Sequence, residues 1–326
     1  MNVLVVGGAG YIGSHVVAAL LDADHTPIIL DNLSRGHKDL VLQDVPFVEG
    51  DMSNSSLVEN ILVDKHIDAV MHFAAYAYVG ESVHQPEEYY QNNVIHTKQL
   101  LDCMQRAHVK KLVFSSSCAT YGTPVSIPMN ESHPQKPINP YGRTKLIVEW
   151  MLQDYFRAYT ISSVSLRYFN ASGAHTRYNI GEDHTPETHL IPRCLMTLLH
   201  HFPQIEIFGN DYDTPDGTCI RDYIHVEDLA SAHVLALEHL TNHIGADAYN
   251  LGIGTGFSVM EVVQTIKKIT QRDLPFVIKP RREGDPSQLI ADASLIQKAM
   301  SWKPRFTSLE PIIESAWQWH RVRHKK

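Results

Sequence analysis

The stretch VLVVGGAGYIGSH, residues 3–15, decides the fold. An apolar β-branched run stops at a glycine pair, and an amphipathic run follows without a breaker, so strand, tight turn and helix succeed one another. The glycines read as Gly7-x-x-Gly10-x-x-Gly13 or as Gly8-x-Gly10-x-x-Gly13. Such a turn needs residues without side chains where the backbone must approach a pyrophosphate, and the free N–H groups of the following helix present positive charge to it. Asp31 closes the next apolar run 18 residues beyond Gly13. An acid at about that distance accepts the hydroxyls of an adenosine ribose and repels a 2′-phosphate, which favours NAD over NADP. Arg35 nearby could answer such a phosphate, and Asp31 could equally be a turn acid in DNLSRG.

Working outward, the runs at 3–6, 26–30, 46–50, 68–73, 111–116 and 162–169 read as strands, separated by helical patterns at 11–24, 55–66, 86–107 and after Asn139. Regular alternation of this kind implies right-handed βαβ units. The expected class is therefore α/β, a Rossmann-like doubly wound parallel sheet. After about residue 170 the texture turns rich in glycine, proline and histidine, which suggests a smaller α/β C-terminal lobe. We divide the chain as a dinucleotide-binding domain, 1–170, and a substrate-binding lobe, 171–326, with the chain free to cross back. A lobe at the carboxyl ends of the strands would supply substrate contacts.

Bulk properties narrow the function. With 326 residues, 44% hydrophobic and 20% charged, the chain can bury a sizeable core, and a net charge of −8 argues against nucleic acid as a partner. No apolar stretch is long enough for a bilayer, and no secretion signal precedes the first strand, so a cytoplasmic location is expected. Cys103, Cys118, Cys194 and Cys219 form no CxxC pair, which fits a reducing compartment. Twenty histidines include the pair His200–His201 and the trio His175, His184 and His189, but none shows HExxH-like ligand spacing, and no metal is expected.

The second informative stretch is NPYGRTK, residues 139–145. Asn139 suits an N-cap and Pro140 the first helical position, so Tyr141 and Lys145 share a helix face. Spacing alone fits a packed ring beside a solvated lysine equally well. Together with the glycine loop and Ser117 at the end of FSSS, however, the pattern resembles the extended short-chain dehydrogenase/reductase family, and the likeness to its nucleotide-sugar epimerases runs from end to end. GGAGYIGSH, ILDNLSRG, EYYQNNV, VFSSSCATYG, LRYFNASGAH, YNLGIGTGFSV and RREGD carry it. The resemblance implies a UDP-glucose/UDP-galactose substrate interconverted through a 4-keto sugar, with NAD retained between turnovers. Tyr141 would be the base, Lys145 would hold the cofactor ribose and tune the phenol, and Ser117 would relay the proton. A free phenol has a pKa near 10, and a neighbouring ammonium with the cationic nicotinamide would lower it.

By the same resemblance, Gly7, Gly10, Tyr11, Ile12, Gly13, Asp31, Asn32, Asp51, Met52, Phe73, Ala74, Asn92, Ser115 and Tyr168 would contact the cofactor. Asn170, His189, Leu190, Phe208, Arg221, Arg282, Asp285 and Leu289 would hold the UDP-sugar, the arginines forking onto the diphosphate. The helices of 86–107 and of Tyr141 resemble a dimer interface, which implies a homodimer, although sheet cover would give the same pattern. Departures are confined to single contacts. Val6 replaces a frequent threonine, Ala77 a lysine that in some members touches the cofactor, and His189 an asparagine. Leu289 is intermediate between a bulky tyrosine and a small residue that admits N-acetylated sugars, so sugar breadth stays open. Nucleotide-sugar 4,6-dehydratases need an acid pair after the serine, where this chain has Cys118 and Ala119. A non-catalytic NAD sensor would be expected to lose Tyr141 or Lys145.

Overall fold

The six apolar runs of the first half form strands, and a computed structural model of the chain describes residues 1–282 and 284–324. In chain order they are β1 (Asn2–Val6), α1 (Tyr11–Asp22), β2 (Thr26–Asp31), β3 (Phe47–Glu49), α2 (Ser55–Asp64), β4 (Ala69–His72), α3 (Val79–His84), α4 (Pro86–Tyr90), α5 (Thr97–Arg106), β5 (Lys111–Ser117), α6 (Pro140–Tyr159) and β6 (Ser162–Tyr168). The long pattern at 86–107 is not one helix: a wider helical turn at Gln91–His96 joins α4 to α5. There the buried Asn93 accepts from Tyr76 N and donates to Thr144 Oγ1, tying the turn to α6.

Later elements are β7 (Asn170–Ser172), α7 (Leu190–Leu198), β8 (Ile205–Phe208), β9 (Ile220–Arg221), β10 (Tyr223–His225), α8 (Val226–His239), β11 (Ala246–Leu251), β12 (Phe257–Ser258), α9 (Val259–Thr270), β13 (Phe276–Lys279), β14 (Gln288–Leu289), α10 (Ser294–Met300) and α11 (Leu309–Arg323). The central sheet is parallel in the order β11-β6-β5-β4-β1-β2-β3. Its seventh strand, β11, comes from beyond residue 170, so the chain does cross back. The order reverses between β1 and β4, and a crevice opens there at the carboxyl ends of the strands.

The period of two along β1 distributes the core. Val3 and Val5 pack with Val16, Val17 and Leu20 of α1 and Leu229 and Leu237 of α8, whereas Leu4 and Val6 pack with Val58 and Leu62 of α2, Leu100 and Leu101 of α5 and Leu152 of α6. Both faces are thus covered, as an all-parallel sheet requires. A separate core, including Ile191, Leu195, Val262, Ile266, Ile312 and Trp317, holds α7, α9 and α11 together as the lobe.

One buried ion pair joins α6 to β6. Arg167 Nε and Nη2 donate to Glu149 Oε1 and Oε2 at 2.9 and 2.6 Å, with both side chains at most 7% exposed. Arg167 Nη1 also donates to Tyr121 Oη, and Ser116 Oγ to Glu149 Oε1. Removing one partner strands the other charge. Arg167→Met should cost about 3–5 kcal/mol of unfolding free energy in urea titration, and a loss below about 1 kcal/mol, the level of an exposed pair, would show that Glu149 finds other partners.

Candidate active site

The glycine loop is built by close approach. Gly7 has φ +86°, and a Cβ there would lie 2.5 Å from Ala74 N; a Cβ on Gly13 would lie 2.1 Å from Gly7 O. A Cβ on Gly10, by contrast, would meet only Gly7 O, at 3.4 Å. Gly10 is also the N-cap of α1 and offers no side-chain cap, so the first-turn N–H groups stay free for an anion. Asp31 accepts from Ala9 N (2.9 Å) and Leu33 N (2.8 Å), which ties the end of β2 to the loop. Arg35 is engaged elsewhere: its Nη2 reaches both oxygens of Glu81, at 2.8 and 3.1 Å, and its guanidinium lies over Tyr78. The cation that would have answered a 2′-phosphate is thereby neutralised. A bare cradle, a free helix terminus and an acid at β2 fit a dinucleotide without that phosphate.

Asn139 Oδ1 caps α6 through Gly142 N at 2.8 Å, and Tyr141 and Lys145 face inward together. Lys145 is buried, with Nζ donating to Ser115 O at 2.7 Å and lying 5.8 Å from the Tyr141 ring centre. Burial lowers its pKa to about 7. Without a cofactor, the lysine alone does not lower the Tyr141 phenol. Burial pushes its phenol up to about 12, and although the Ser117 hydroxyl favours the phenolate, the lysine does not offset the desolvation. In the cofactor-free chain Tyr141 is therefore a neutral phenol. Cys118 is likewise pushed up to about 12 by burial, as suits a packed thiol.

These groups open on one groove of about 1470 Å³, larger than the roughly 300–1,000 Å³ of single-ligand pockets. It has room for two ligands end to end. Every residue expected to contact the cofactor lines it: Gly7, Gly10, Tyr11, Ile12, Gly13, Asp31, Asn32, Asp51, Met52, Phe73, Ala74, Asn92, Ser115 and Tyr168, with Ser117, Tyr141 and Lys145 at its centre. Asn170, His189, Leu190, Phe208, Arg221, Arg282, Asp285 and Leu289 line the lobe side, as does Ala77 opposite. Arg221 Nη2 is paired with Asp285, and Arg282 stacks over Phe208 at 3.9 Å.

Sequence reading missed a second cluster on this wall. Glu182, His184, Glu187 and His189 converge, whereas His175 of the trio stacks on His15 instead. Glu182 and Glu187 are buried. Burial opposes charging His184, but the two carboxylates outweigh it and hold the imidazole up at about 10. No local spacing signals the cluster, because the segment between β7 and α7 is irregular.

A doubly wound sheet carrying a glycine loop, a Ser–Tyr–Lys set and a second subsite defines a dinucleotide-dependent enzyme acting on a second bound ligand. The chain belongs to the NAD dependent epimerase/dehydratase family, whose profile matches residues 3–252. It is 52% identical over 321 residues to the UDP-glucose 4-epimerase of Halalkalibacterium halodurans, covering 98% of this chain and 96% of that protein. Among solved structures, the UDP-glucose 4-epimerase from Brucella ovis in complex with NAD superposes with a TM-score of 0.95 at 50% identity, covering 97% of each chain. The enzyme from Bifidobacterium longum in complex with NAD+ and UDP gives 0.93 at 38% identity, covering 99% of each. Among the described residues no helix is long and apolar enough to cross a membrane.

The titration of Tyr141 tests the electrostatics directly. In cofactor-free protein, the ultraviolet difference between wild type and Tyr141→Phe should show no phenolate below pH ~10, the ordinary phenol value, and NAD+ should bring phenolate into that window. Phenolate in that range without cofactor would mean that Lys145 does suffice.

Proposed function

We propose that the protein interconverts UDP-galactose and UDP-glucose by epimerisation at C4, with NAD as cofactor. The observation that supports this reading is that Ser117, Tyr141 and Lys145 line the same groove as the glycine cradle and the arginines of the lobe. Bound NAD supplies the chemistry of hydride removal from C4 and its return. Tyr141, as phenolate, takes the proton of the C4 hydroxyl and gives it back, which needs the Tyr141 oxygen within hydrogen-bond reach of that hydroxyl. Ser117, whose hydroxyl favours the Tyr141 phenolate, holds the sugar oxygen while the proton moves. Lys145, fixed by Ser115 O, presents its remaining N–H bonds to the cofactor ribose. Arg221 and Arg282 grip the diphosphate, with Asp285 passing from Arg221 to the uridine ribose. The sugar beyond is left to pivot and present its other face.

A dehydratase reading is disfavoured by Cys118. The acid pair that loss of water requires is replaced by this packed thiol and by Ala119, which carries no titratable group. All four cysteines are free thiols, which supports a reducing, cytoplasmic setting.

Incubating the purified protein with UDP-galactose and no added cofactor should yield UDP-glucose. Tyr141→Phe should lower kcat about 10²–10⁴-fold, the usual contribution of a positioned base. No turnover even with NAD added would overturn the epimerase reading and bring the sensor forward. A parallel UDP-N-acetylgalactosamine sample reads what Leu289 admits.

A homodimer through α6 and the 86–106 segment is supported by apolar side chains left outward on those elements: Ile95 is 44%, Trp150 55% and Tyr159 45% exposed. Sedimentation should give a dimer at micromolar concentration and a monomer for Trp150→Glu. A wild-type monomer would remove this interface.

A further inference from the structure

Between β7 and α7 the chain folds back so that one ligand-capable atom from each of Glu182, His184, Glu187 and His189 lies within 4.8 Å of all the others. His184 Nδ1 stands 3.4 Å from Glu182 Oε1 and 3.6 Å from Glu187 Oε2. These separations are at or beyond the reach of a hydrogen bond. They are close to the edge of a tetrahedron, roughly 3.3 Å, whose centre lies about 2.0–2.1 Å from imidazole nitrogens and carboxylate oxygens.

The second observation is an unmet bonding demand inside the cluster. The Glu187 side chain is only 1% exposed, and its Oε2 has no hydrogen-bond partner among the described residues. It faces His184 Nδ1, which is also buried and without a partner. A carboxylate oxygen held dry is costly unless a cation completes it; in the metal-free chain that cation is the protonated His184, 3.6 Å away and without a hydrogen bond to it, and a metal ion would displace its proton. Glu187 Oε1, in contrast, accepts from Thr188 N and His189 N, which fixes the carboxylate so that Oε2 points inward.

We propose that Glu182, His184, Glu187 and His189 form a binding site for a divalent transition-metal ion of the Zn²⁺ type. Two carboxylates and two neutral imidazoles balance the double charge of the ion. The nitrogen donors exclude Mg²⁺ and Ca²⁺, which take six or more oxygens. Glu182 and His189, in direct contact in the metal-free chain, separate to admit the ion. Four protein ligands fill the tetrahedron, so the ion is structural and holds no water for catalysis. His189 then serves as a ligand and not as a substrate contact.

The position gives the ion a mechanical role. His189 is the N-cap of α7, whose first residue Leu190 lines the lobe side of the groove. At the other end, His184 sits edge-on to the ring of Tyr11 on the glycine loop at 6.3 Å, and Arg35 Nη1 donates to Thr185 O. A bound ion would rigidify the loop that joins the cofactor cradle to the nucleotide subsite. This holds whichever sugar the enzyme takes.

The test uses the full-length protein with its cofactor, stripped by a chelator and titrated with ZnCl₂ against a chromophoric competitor, with MgCl₂ as a parallel arm. The expected result is one saturable Zn²⁺ per chain, a raised Tm, and no effect of Mg²⁺. His184→Gln and Glu187→Gln should weaken Zn²⁺ binding at least tenfold, and His108→Gln, at an exposed histidine, should leave it unchanged. Sub-stoichiometric binding, or binding equally tight in all three variants, overturns the site. Should the cluster variants not fold, Co²⁺ in the wild type decides. Intense visible bands of four-coordinate Co²⁺ that Zn²⁺ displaces support it, and the weak spectrum of six-coordinate Co²⁺ overturns it.

Discussion

The approach of Gly13 to the carbonyl of Gly7 is the constraint on which the rest depends. A methyl group at residue 13 would fall 2.1 Å from that oxygen, so only glycine lets α1 begin directly above the end of β1. Helix α1 then lies across the sheet and against α8, which brings the later half of the chain back to the first. The same turn aims Tyr11, whose hydroxyl donates to Gly173 O at 2.7 Å, at the opening residues of the lobe. The loop is thus cradle and joint together. Any ligand on the free N–H groups of α1 acts on a segment already bonded to the substrate side.

Under the reacting groups lies a second constraint, the burial of charge. Lys145, Glu149 and Arg167 are all inside, and each is held by polar partners and not by solvent. Glu149 divides its oxygens among Arg167, Ser116 and Gln135, so α6 cannot rotate without breaking several bonds at once. That rigidity keeps Tyr141 at a fixed height over the groove. It also keeps the site dry, and dryness raises the phenol and lowers the amine at the same time. In the unliganded site Tyr141 is therefore held as a neutral phenol.

What could be read from the sequence follows from the range of the interactions. The six strands, the capped helix at Asn139 and the glycine turn are set by periods of two and 3.6 and by backbone demands within a few residues. Tyr141 and Lys145 share a face by helical spacing alone. Strand β11 was not legible, because ADAYNL has the composition of many loops and becomes a strand only by pairing with β6 some 80 residues earlier. The raised phenol of the cofactor-free chain was hidden for a related reason: spacing places a lysine nearby but does not reveal how much water the fold removes. Glu182 and Glu187 stayed hidden because an irregular segment has no period to betray which side chains meet.

The lobe couples two tasks that look separate. Leu289, at the position the family resemblance connects with sugar size, lies in β14 in register with Arg221 of β9. Arg221 in turn is paired with Asp285, four residues before Leu289 on the same segment. A larger residue at 289 could not be accommodated by moving β14 alone, since the strand carries its ladder partner with it. On the proposed function, room for the sugar and grip on the diphosphate would both depend on this short strand pair. On that reading, a change of sugar at Leu289 would act on nucleotide affinity as well, through the backbone that pairs it with Arg221.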